Sequence, residues 1–207
     1  MESPKKPFWE ESYKRKGKLD TFGGGKPGRD VVAIASKIKL PAQALDLGCG
    51  EGRNALYLAG LGFRTSASDI SQSGIGKLKT VAGELHLDID AVVCDMRQYP
   101  FNKTFDLIVC EGCLHFIKRE EWSKIISKMK NSTAGGGYNL VGVFTDEAPE
   151  PEDQRGLMVG LFKEGELFSY YQDWQIIDSR TYTFEHTHPD GPTHKHAANN
   201  IVARKPW

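Results

Sequence analysis

Three glycines at alternating positions link an apolar segment to a helical pattern, and this feature restricts the fold more than any other. Gly48, Gly50 and Gly52 follow the apolar segment 44–47, and residues 54–61 repeat apolar side chains at helical spacing. Glycine adopts positive φ values without strain and lets a ligand approach the main chain closely. Because the first N–H groups of a helix are unpaired, a strand followed by this turn and a helix predicts a site for electron-rich groups.

The chain after residue 41 continues to alternate apolar segments with helical patterns. Strands are predicted at residues 44–47, 64–68, 91–94, 105–110, 138–144, 174–184 and 199–204. Helices are predicted at residues 54–61, 73–85, 120–129 and 165–171. Strands separated by helical patterns predict right-handed βαβ units and a parallel sheet. The predicted fold is therefore α/β, a Rossmann-like three-layer sandwich around a seven-stranded, mostly parallel sheet, with one antiparallel strand in the C-terminal hairpin.

Two segments are predicted to lie outside this alternation. Residues 1–40 are expected to form an N-terminal helical arm and a Gly-rich loop, with a second helix at residues 29–38, and residues 41–207 the main domain. Trp9 and Tyr13 are four residues apart, so a short helix would place both on one face. The acidic, proline-containing segment 148–160 is the predicted lid.

The composition excludes several classes of protein. Lys plus Arg and Asp plus Glu each number 27 in 207 residues, and a zero net charge argues against nucleic-acid or electrostatic membrane binding. No apolar segment approaches the roughly 20 residues of a membrane span, and the N-terminus lacks the apolar stretch of a signal peptide. Four cysteines are too few for a disulfide scaffold. These features predict a cytoplasmic protein with reduced thiols, and they set no oligomeric state.

Acidic residues end the second and third predicted strands. Asp69 lies seventeen residues after Gly52, where a carboxylate can accept both hydroxyls of a ribose, as in dinucleotide-binding folds. Asp95 follows Cys94 at the end of the third strand. The glycine spacing is G-x-G-x-G rather than the dinucleotide pattern G-x-G-x-x-G, and Arg53 occupies the position of the third glycine. The pattern therefore does not support close packing of a helix against a pyrophosphate.

The segment from Asp46 to Gly52, together with the strand-end acids, resembles class I S-adenosylmethionine-dependent methyltransferases. The resemblance implies S-adenosyl-L-methionine as cofactor, with its methionine moiety over the glycine turn and Asp46 near its ammonium group. It also implies that Ile70 packs on the adenine, while Asp95 and the Met96 backbone bind the adenine edge. The candidate cofactor-binding residues are Asp46, Gly48, Cys49, Gly50, Arg53, Asn54, Asp69, Ile70, Asp95, Met96 and Cys110, together with Trp9. Trp9 and Tyr13 would either stack over the cofactor or only pack the arm onto the domain.

Further segments resemble the tellurite-resistance (TehB-like) methyltransferases across most of the chain, from about residue 8 to 205. These segments are residues 45–58, 105–109, 136–140, 162–167, 170–174 and 203–205. The resemblance implies methyl transfer to a chalcogen oxyanion such as tellurite or selenite. That family is associated with a histidine and arginines in its last inter-strand loop. The corresponding segment here, 185–196, has no arginine, and its only cations are Lys195 and the histidines.

Five residues are the candidates for catalysis: His115, His186, His188, His194 and Lys195. The histidines of segment 186–196 form two H-x-H pairs on a predicted hairpin, which would contact the substrate, bind a metal or remain an exposed polar loop. His115 follows the fourth strand, where it would be either a general base or a packing residue. Cys110 and Cys113 precede it, but a zinc site would need further ligands nearby, so no metal is assigned.

Two other functions remain open from the sequence. The acceptor of the methyl group would be a small organic thiol, amine or carboxylate instead of an oxyanion. Alternatively, the chain would bind S-adenosylmethionine without catalysis and regulate a partner. An intact set of motifs with a lid favours an enzyme, and release of S-adenosylhomocysteine in a substrate screen distinguishes the two.

Overall fold

The computed structural model describes residues 8–15, 19, 21, 23–187 and 192–207. Its strands are β1 (Gln43–Leu47), β2 (Arg64–Asp69), β3 (Ile89–Val93), β4 (Phe105–Glu111), β5 (Thr133–Phe144), β6 (Gln175–Thr187) and β7 (Thr193–Arg204). Its α-helices are α1 (Phe8–Tyr13), α2 (Arg29–Ala35), α3 (Arg53–Gly60), α4 (Gln72–Glu84), α5 (Arg119–Asn131) and α6 (Glu166–Ser169). The predicted alternation of strands and helices is confirmed.

The seven strands form one sheet in the order β3-β2-β1-β4-β5-β7-β6. Strands β1 to β5 pair in parallel, and β7 pairs antiparallel with both β5 and β6. The prediction of a mostly parallel sheet with one antiparallel strand is therefore confirmed. The carboxyl ends of β1 to β5 meet at one edge, and in open sheets of this kind ligands bind at that edge.

Side chains alternate along the central strands and build a core on each face of the sheet. Leu45 and Ile108 pack on one face with Trp122 of α5, and Trp122 stacks on Phe162 with ring centroids 3.5 Å apart. On the other face, Ala44 and Leu107 pack with residues of α2 and α3. Helices on both faces explain the nearly continuous apolar runs of β1 and β4.

The segment before β1 contacts the rest of the fold at several places. Val31 and Ile34 of α2 are buried in the core next to Val202 of β7. The backbone N–H of Thr21 donates to buried Glu51 at 2.8 Å, and Lys77 forms an ion pair with the same carboxylate. Helix α2 is thus a part of the folded core, while the division of the chain at residue 40 stays a prediction.

Several predicted boundaries are wrong. Helix α2 ends at Ala35 rather than at residue 38, α6 has four residues rather than seven, and β3 covers residues 89–93 instead of 91–94. The last two predicted strands are too short, whereas the hairpin predicted for the histidines of segment 186–196 is present. Strand β6 extends to Thr187 and β7 begins at Thr193, with His186 opposite His194. Backbone hydrogen bonding between β6 and β7 continues through these residues. Most of their side chains are polar, so the segment lacks the apolar residues from which the ends of the two strands were predicted.

None of the described helices is both long enough and apolar enough to cross a membrane. This finding concerns only the described part of the chain.

We expect Trp122→Ala to lower the free energy of unfolding by about 3–5 kcal/mol, because it removes a fully buried ring and leaves a cavity against Phe162. Urea denaturation followed by circular dichroism measures this change. Leu85→Ala is the control, since Leu85 is 57% exposed and its truncation should change stability by less than about 0.5 kcal/mol. Equal effects of the two substitutions would contradict the assignment of Trp122 to the core.

Candidate active site

A cavity of about 1170 Å³ opens at the carboxyl ends of the parallel strands. Its walls come from the loops after β1, β2, β3 and β4, from the ends of β5, β6 and β7, and from α1. Of the candidate cofactor-binding residues, eleven line it: Trp9, Asp46, Gly48, Cys49, Gly50, Arg53, Asn54, Asp69, Ile70, Asp95 and Met96. Cys110 differs from this expectation and is described below.

The glycine turn between β1 and α3 requires its glycines. Gly48, Gly50 and Gly52 have φ values of +77°, +54° and +90°. A Cβ atom on Gly48 would lie 2.6 Å from the Cys113 sulfur, and one on Gly50 would lie 2.6 Å from the Tyr13 hydroxyl oxygen. Positive φ and close neighbours both favour glycine here, and all but Gly52 of the three glycines line the cavity.

Asp46 is the next-to-last residue of β1, and its side chain contacts the start of α3. Its carboxylate accepts a hydrogen bond from the backbone N–H of Ala55 at 3.0 Å, which satisfies one of the unpaired donors of the helix. Asp46 is almost fully buried, and burial raises its pKa to about 7, with a further contribution from the negative charge of Glu111. A cationic ligand beside Asp46 would favour the charged carboxylate.

Glu111 is a functional candidate that the sequence analysis did not identify. It ends β4 and lines the cavity, and its carboxylate accepts hydrogen bonds from Arg53 and from the Asn54 side chain, both at 3.2 Å. Asn54 in turn accepts from the backbone N–H of Gly28 at 2.8 Å. Burial raises the pKa of Glu111, and the positive charge of Arg53 opposes this shift. Its position at a strand end, like that of Asp46 and Asp69, was the available signal.

Asp69 connects the loops after β1 and β2. One carboxylate oxygen accepts from the backbone N–H of Gly50 at 2.8 Å, and the other accepts from Ser71 at 2.8 Å. Burial raises the pKa of Asp69, while these backbone hydrogen bonds oppose the shift. A carboxylate has about four acceptor positions. Asp69 therefore keeps acceptor capacity for ligand hydroxyl groups at the cavity wall.

The residues expected to surround the adenine lie next to each other in the cavity wall. Ile70 is 63% exposed although it is apolar, so an apolar face there is open to a ligand. The Asp95 carboxylate accepts hydrogen bonds from the Arg97 side chain, and these bonds lower the pKa of Asp95. Asp95 thus stays an anion and a hydrogen-bond acceptor at this wall.

Helix α1 covers the glycine turn. Trp9 and Tyr13 both line the cavity, as expected from their spacing, and Trp9 packs on Phe116 with ring centroids 4.7 Å apart. Tyr13 is buried over Gly50, and burial raises the pKa of its hydroxyl well above its usual value. At ordinary pH, Tyr13 therefore presents a neutral hydroxyl next to the turn.

Cys110 does not line the cavity. It is fully buried in the core, while Glu111, Gly112 and Cys113, which follow it, face the cavity. The two sulfur atoms of Cys110 and Cys113 lie 3.3 Å apart, and the hydrogen bond between them raises the pKa of Cys113. Because side chains alternate along β4, Glu111 and not Cys110 points to the ligand side.

His115 does not have the position expected of a general base, which was one of the two roles that the sequence left open for it. It is fully buried and does not line the cavity, because Phe116 and Phe144 separate it from that space. Its Nδ1 accepts from the backbone N–H of Phe144 at 3.2 Å, and its ring stacks on Phe144 at 4.2 Å. Burial lowers its pKa to about 3. The structure therefore supports the packing role that the sequence left open.

The C-terminal histidines are also placed differently from the expectation. His194 lies on β7, buried, with its Nδ1 3.0 Å from the Gln154 amide, and it does not line the cavity. Lys195 is exposed and does not line it either. His188 lies outside the described residues, and His186 is described only in its strand position. Among the described histidines, His196 lines the cavity; it belongs to the histidine pairs for which the sequence left substrate contact open, but it is not one of the five candidate catalytic residues.

The wall also contains Arg180, which was not identified from the sequence, and residues of the predicted lid segment. Arg180 of β6 lines the cavity and forms ion pairs with Asp30 and Asp178. The family resemblance points to cations in the last inter-strand loop, and Arg180 lies on a strand before it. Gln154, Leu157 and Val159 of the predicted lid segment also line the cavity. Their place within the predicted lid segment is the sequence feature that indicated a position at the cavity.

Across the described residues, no group of three or more His, Cys, Asp or Glu side chains has the arrangement of a metal site.

This fold, with a glycine turn after β1 and acidic residues at the following strand ends, defines the class I methyltransferases, which use S-adenosyl-L-methionine. The family model described as "Tellurite resistance protein TehB" matches residues 21–196. The chain therefore belongs to the TehB family.

Known proteins agree with this assignment. The probable S-adenosyl-L-methionine-dependent methyltransferase TehB of Haemophilus influenzae is 36% identical over 149 residues, which are 71% of this chain and 51% of that protein. The crystal structure of TehB from H. influenzae matches with a TM-score of 0.78 and 31% identity, covering 95% of this chain and 67% of that one. The chain thus spans about half the length of the curated relatives it matches.

A more distant structure shares the fold alone. The N-methyltransferase NodS from Bradyrhizobium japonicum, in complex with S-adenosyl-L-homocysteine, has a TM-score of 0.66 at 17% identity, covering 86% of this chain and 85% of that one.

We expect Gly50→Ala to weaken binding of S-adenosylhomocysteine at least tenfold, measured by calorimetry. The new Cβ would meet the Tyr13 hydroxyl at a backbone φ of +54°, and such a conformation costs a non-glycine residue about 1–2 kcal/mol. Gly60→Ala is the matched control, because no atom lies within 4 Å of the position that its Cβ would occupy. Normal affinity in a folded Gly50→Ala protein would place the ligand elsewhere.

The buried His115 predicts an acid-sensitive stability. In the unfolded protein, the His115 imidazole takes up a proton below about pH 6.5. In the folded protein, it does so only near its pKa of about 3. Stability is therefore lost as pH falls through this window, by about 2 kcal/mol between pH 7.5 and 5 for this residue. We expect His115→Asn, whose amide oxygen can still accept from Phe144, to remove that part of the loss in urea titrations. The exposed His86→Asn control should leave the loss intact.

Proposed function

We propose that this chain is a methyltransferase that transfers the methyl group of S-adenosyl-L-methionine to a small acceptor. The observation that carries the proposal is the convergence of Asp46, the glycine turn and Asp69 on one cavity, with Asp69 bound to Gly50 at 2.8 Å. Separate strand ends supply these groups. A single turn or acid could serve structure alone, but their assembly around open space favours a ligand site.

The residues present fit this cofactor in shape and charge. Gly48 and Gly50 both line the cavity, and they allow Cys113 and Tyr13 to pack directly against the turn. Asp46 would bind the ammonium group, Asp69 the ribose hydroxyls and Ile70 the adenine face. The raised pKa values of Asp46 and Glu111 favour a ligand with a positive charge beside these carboxyls. When bound, the cofactor supplies a sulfonium-activated methyl group.

The protein itself then supplies alignment and exclusion of water. Trp9 and Phe116 close one side of the cavity, and Gln154 and Leu157 of the lid segment line it. Closure by this segment stays a prediction from the sequence, as do the cytoplasmic location and the absence of nucleic-acid and membrane partners.

Two classes of acceptor follow from two kinds of observation. The description of the family favours a chalcogen oxyanion such as tellurite or selenite. The size of the cavity, about 1170 Å³, favours a small organic molecule, since it exceeds the roughly 300–1,000 Å³ of ordinary ligand pockets. A regulator that only binds the cofactor would not need this additional space.

We expect Asp69→Ala to lower affinity for S-adenosylmethionine at least tenfold in calorimetry. It removes charge-assisted hydrogen bonds that are worth roughly 1.5–3 kcal/mol each. Asp90→Ala is the matched control, because Asp90 is exposed on β3 and does not line the cavity. Thermal melting checks that the loss of the Gly50 and Ser71 hydrogen bonds leaves the protein folded. A folded Asp69→Ala protein with unchanged affinity would refute the ribose assignment.

A further inference from the structure

We propose that the acceptor is a flat aromatic molecule bearing an N–H, O–H or S–H group, and that His196 removes its proton. This inference rests on the proposed function and names its substrate class. It concerns the half of the cavity over β5, β7 and β6, since the cofactor residues line the half over β1, β2 and β3.

Aromatic rings surround this half of the cavity. Phe116, Phe144, Tyr182 and Phe184 line it, and the ring of His196 stacks on Phe144 at 4.4 Å and 16°. The Phe144 and Phe184 centroids lie 5.9 Å apart, and those of Tyr182 and Phe184 lie 5.8 Å apart. Aromatic walls favour flat apolar ligands through ring contacts and offer little to a hydrated oxyanion.

The charges at this end also argue against an oxyanion. Arg180 forms ion pairs with Asp30 and Asp178, and Arg29 forms ion pairs with the same two carboxylates. Two guanidinium groups therefore face two carboxylates beside β6, and the charges of these four groups are balanced, while Lys118 lines the cavity next to Phe116. An acceptor with a full negative charge would have to compete with Asp30 and Asp178 for Arg180.

His196 is positioned to contact an acceptor in this compartment. Alternation along β7 places His194, His196 and Asn200 on the same face of the sheet, and His196 and Asn200 line the cavity. His196 is 6% exposed, and its centroid lies 5.8 Å from that of His194. The contact of His194 with Gln154, 3.0 Å away, ties β7 to the lid segment. An imidazole is a common acceptor of protons near neutral pH.

The reaction balances with this assignment. A lone pair on the acceptor heteroatom forms the new bond to the methyl carbon, and the carbon–sulfur bond breaks with its electron pair passing to sulfur. The N–H, O–H or S–H proton passes to the His196 imidazole and then to water. An aromatic acceptor that attacks through a lone pair without a proton, such as a ring nitrogen, needs no base.

This difference gives the test, with 2-naphthol and quinoline as acceptors of nearly equal shape. Binding to the protein saturated with S-adenosylhomocysteine is measured by calorimetry, and turnover by release of S-adenosylhomocysteine from S-adenosylmethionine. We expect the wild-type protein to bind and methylate both compounds, and to methylate tellurite and selenite more slowly. His196→Asn should lower kcat for 2-naphthol by about 100-fold and change that for quinoline less than about threefold. The exposed His86→Asn is the matched control.

A second variant distinguishes the binding role of the aromatic walls from the role of His196 as a base. Phe184→Ala should weaken binding of 2-naphthol and quinoline equally, with no selective loss of kcat for 2-naphthol. Equal losses of both acceptors in His196→Asn would refute the role of His196, and methylation of tellurite or selenite without that of either aromatic compound would refute the acceptor class. Failure to bind S-adenosylmethionine at all would instead refute the proposed function, so the two failures are distinguishable.

Discussion

The hydrogen bonds from strand-end carboxylates to backbone N–H groups of the adjoining loops hold this site together. Asp46 accepts from Ala55 at 3.0 Å, and Asp69 accepts from Gly50 and Ser71 at 2.8 Å. Because β1 and β2 are parallel neighbours, their following loops lie side by side, and the Asp69–Gly50 contact fixes one loop against the other. The conformation of the glycine turn depends on this contact and on the positive φ values that only glycine adopts easily.

The same arrangement places negative charge where solvent cannot stabilise it. Burial raises the pKa values of Asp46, Asp69 and Glu111, and Arg53 offsets this charge through its ion pair with Glu111. A cavity with this charge is suited to a ligand with cationic groups at one end. Toward β6 and β7 the wall changes to aromatic rings and balanced ion pairs. The cavity therefore has two chemically different halves, one lined by strand-end carboxylates and one lined by aromatic rings and paired charges.

Much of the cofactor half followed from local patterns. The glycine spacing, Asp69 and Asp95 were visible because each stands at the end of an apolar segment. The spacing did not support a dinucleotide site, and the resemblance to class I methyltransferases indicated the cofactor. The acceptor half was poorly predicted. His115 follows a strand as a catalytic base would, but only packing shows that Phe116 and Phe144 separate it from the cavity. Arg180 and His196 lie on long strands whose polar residues have no clear period.

The sequence by itself determined the order of strands and helices, the glycine turn and the acids that follow it, because each depends on residues close together in the chain. The tertiary structure decided which side of a strand faces the cavity. Cys110 and Glu111 are neighbours in sequence, yet Cys110 is buried in the core and Glu111 reaches the ligand side. It also decided that Asp30 and Arg180, 150 residues apart, form an ion pair. Such contacts depend on the register and face of paired strands, which are set by packing of the whole sheet.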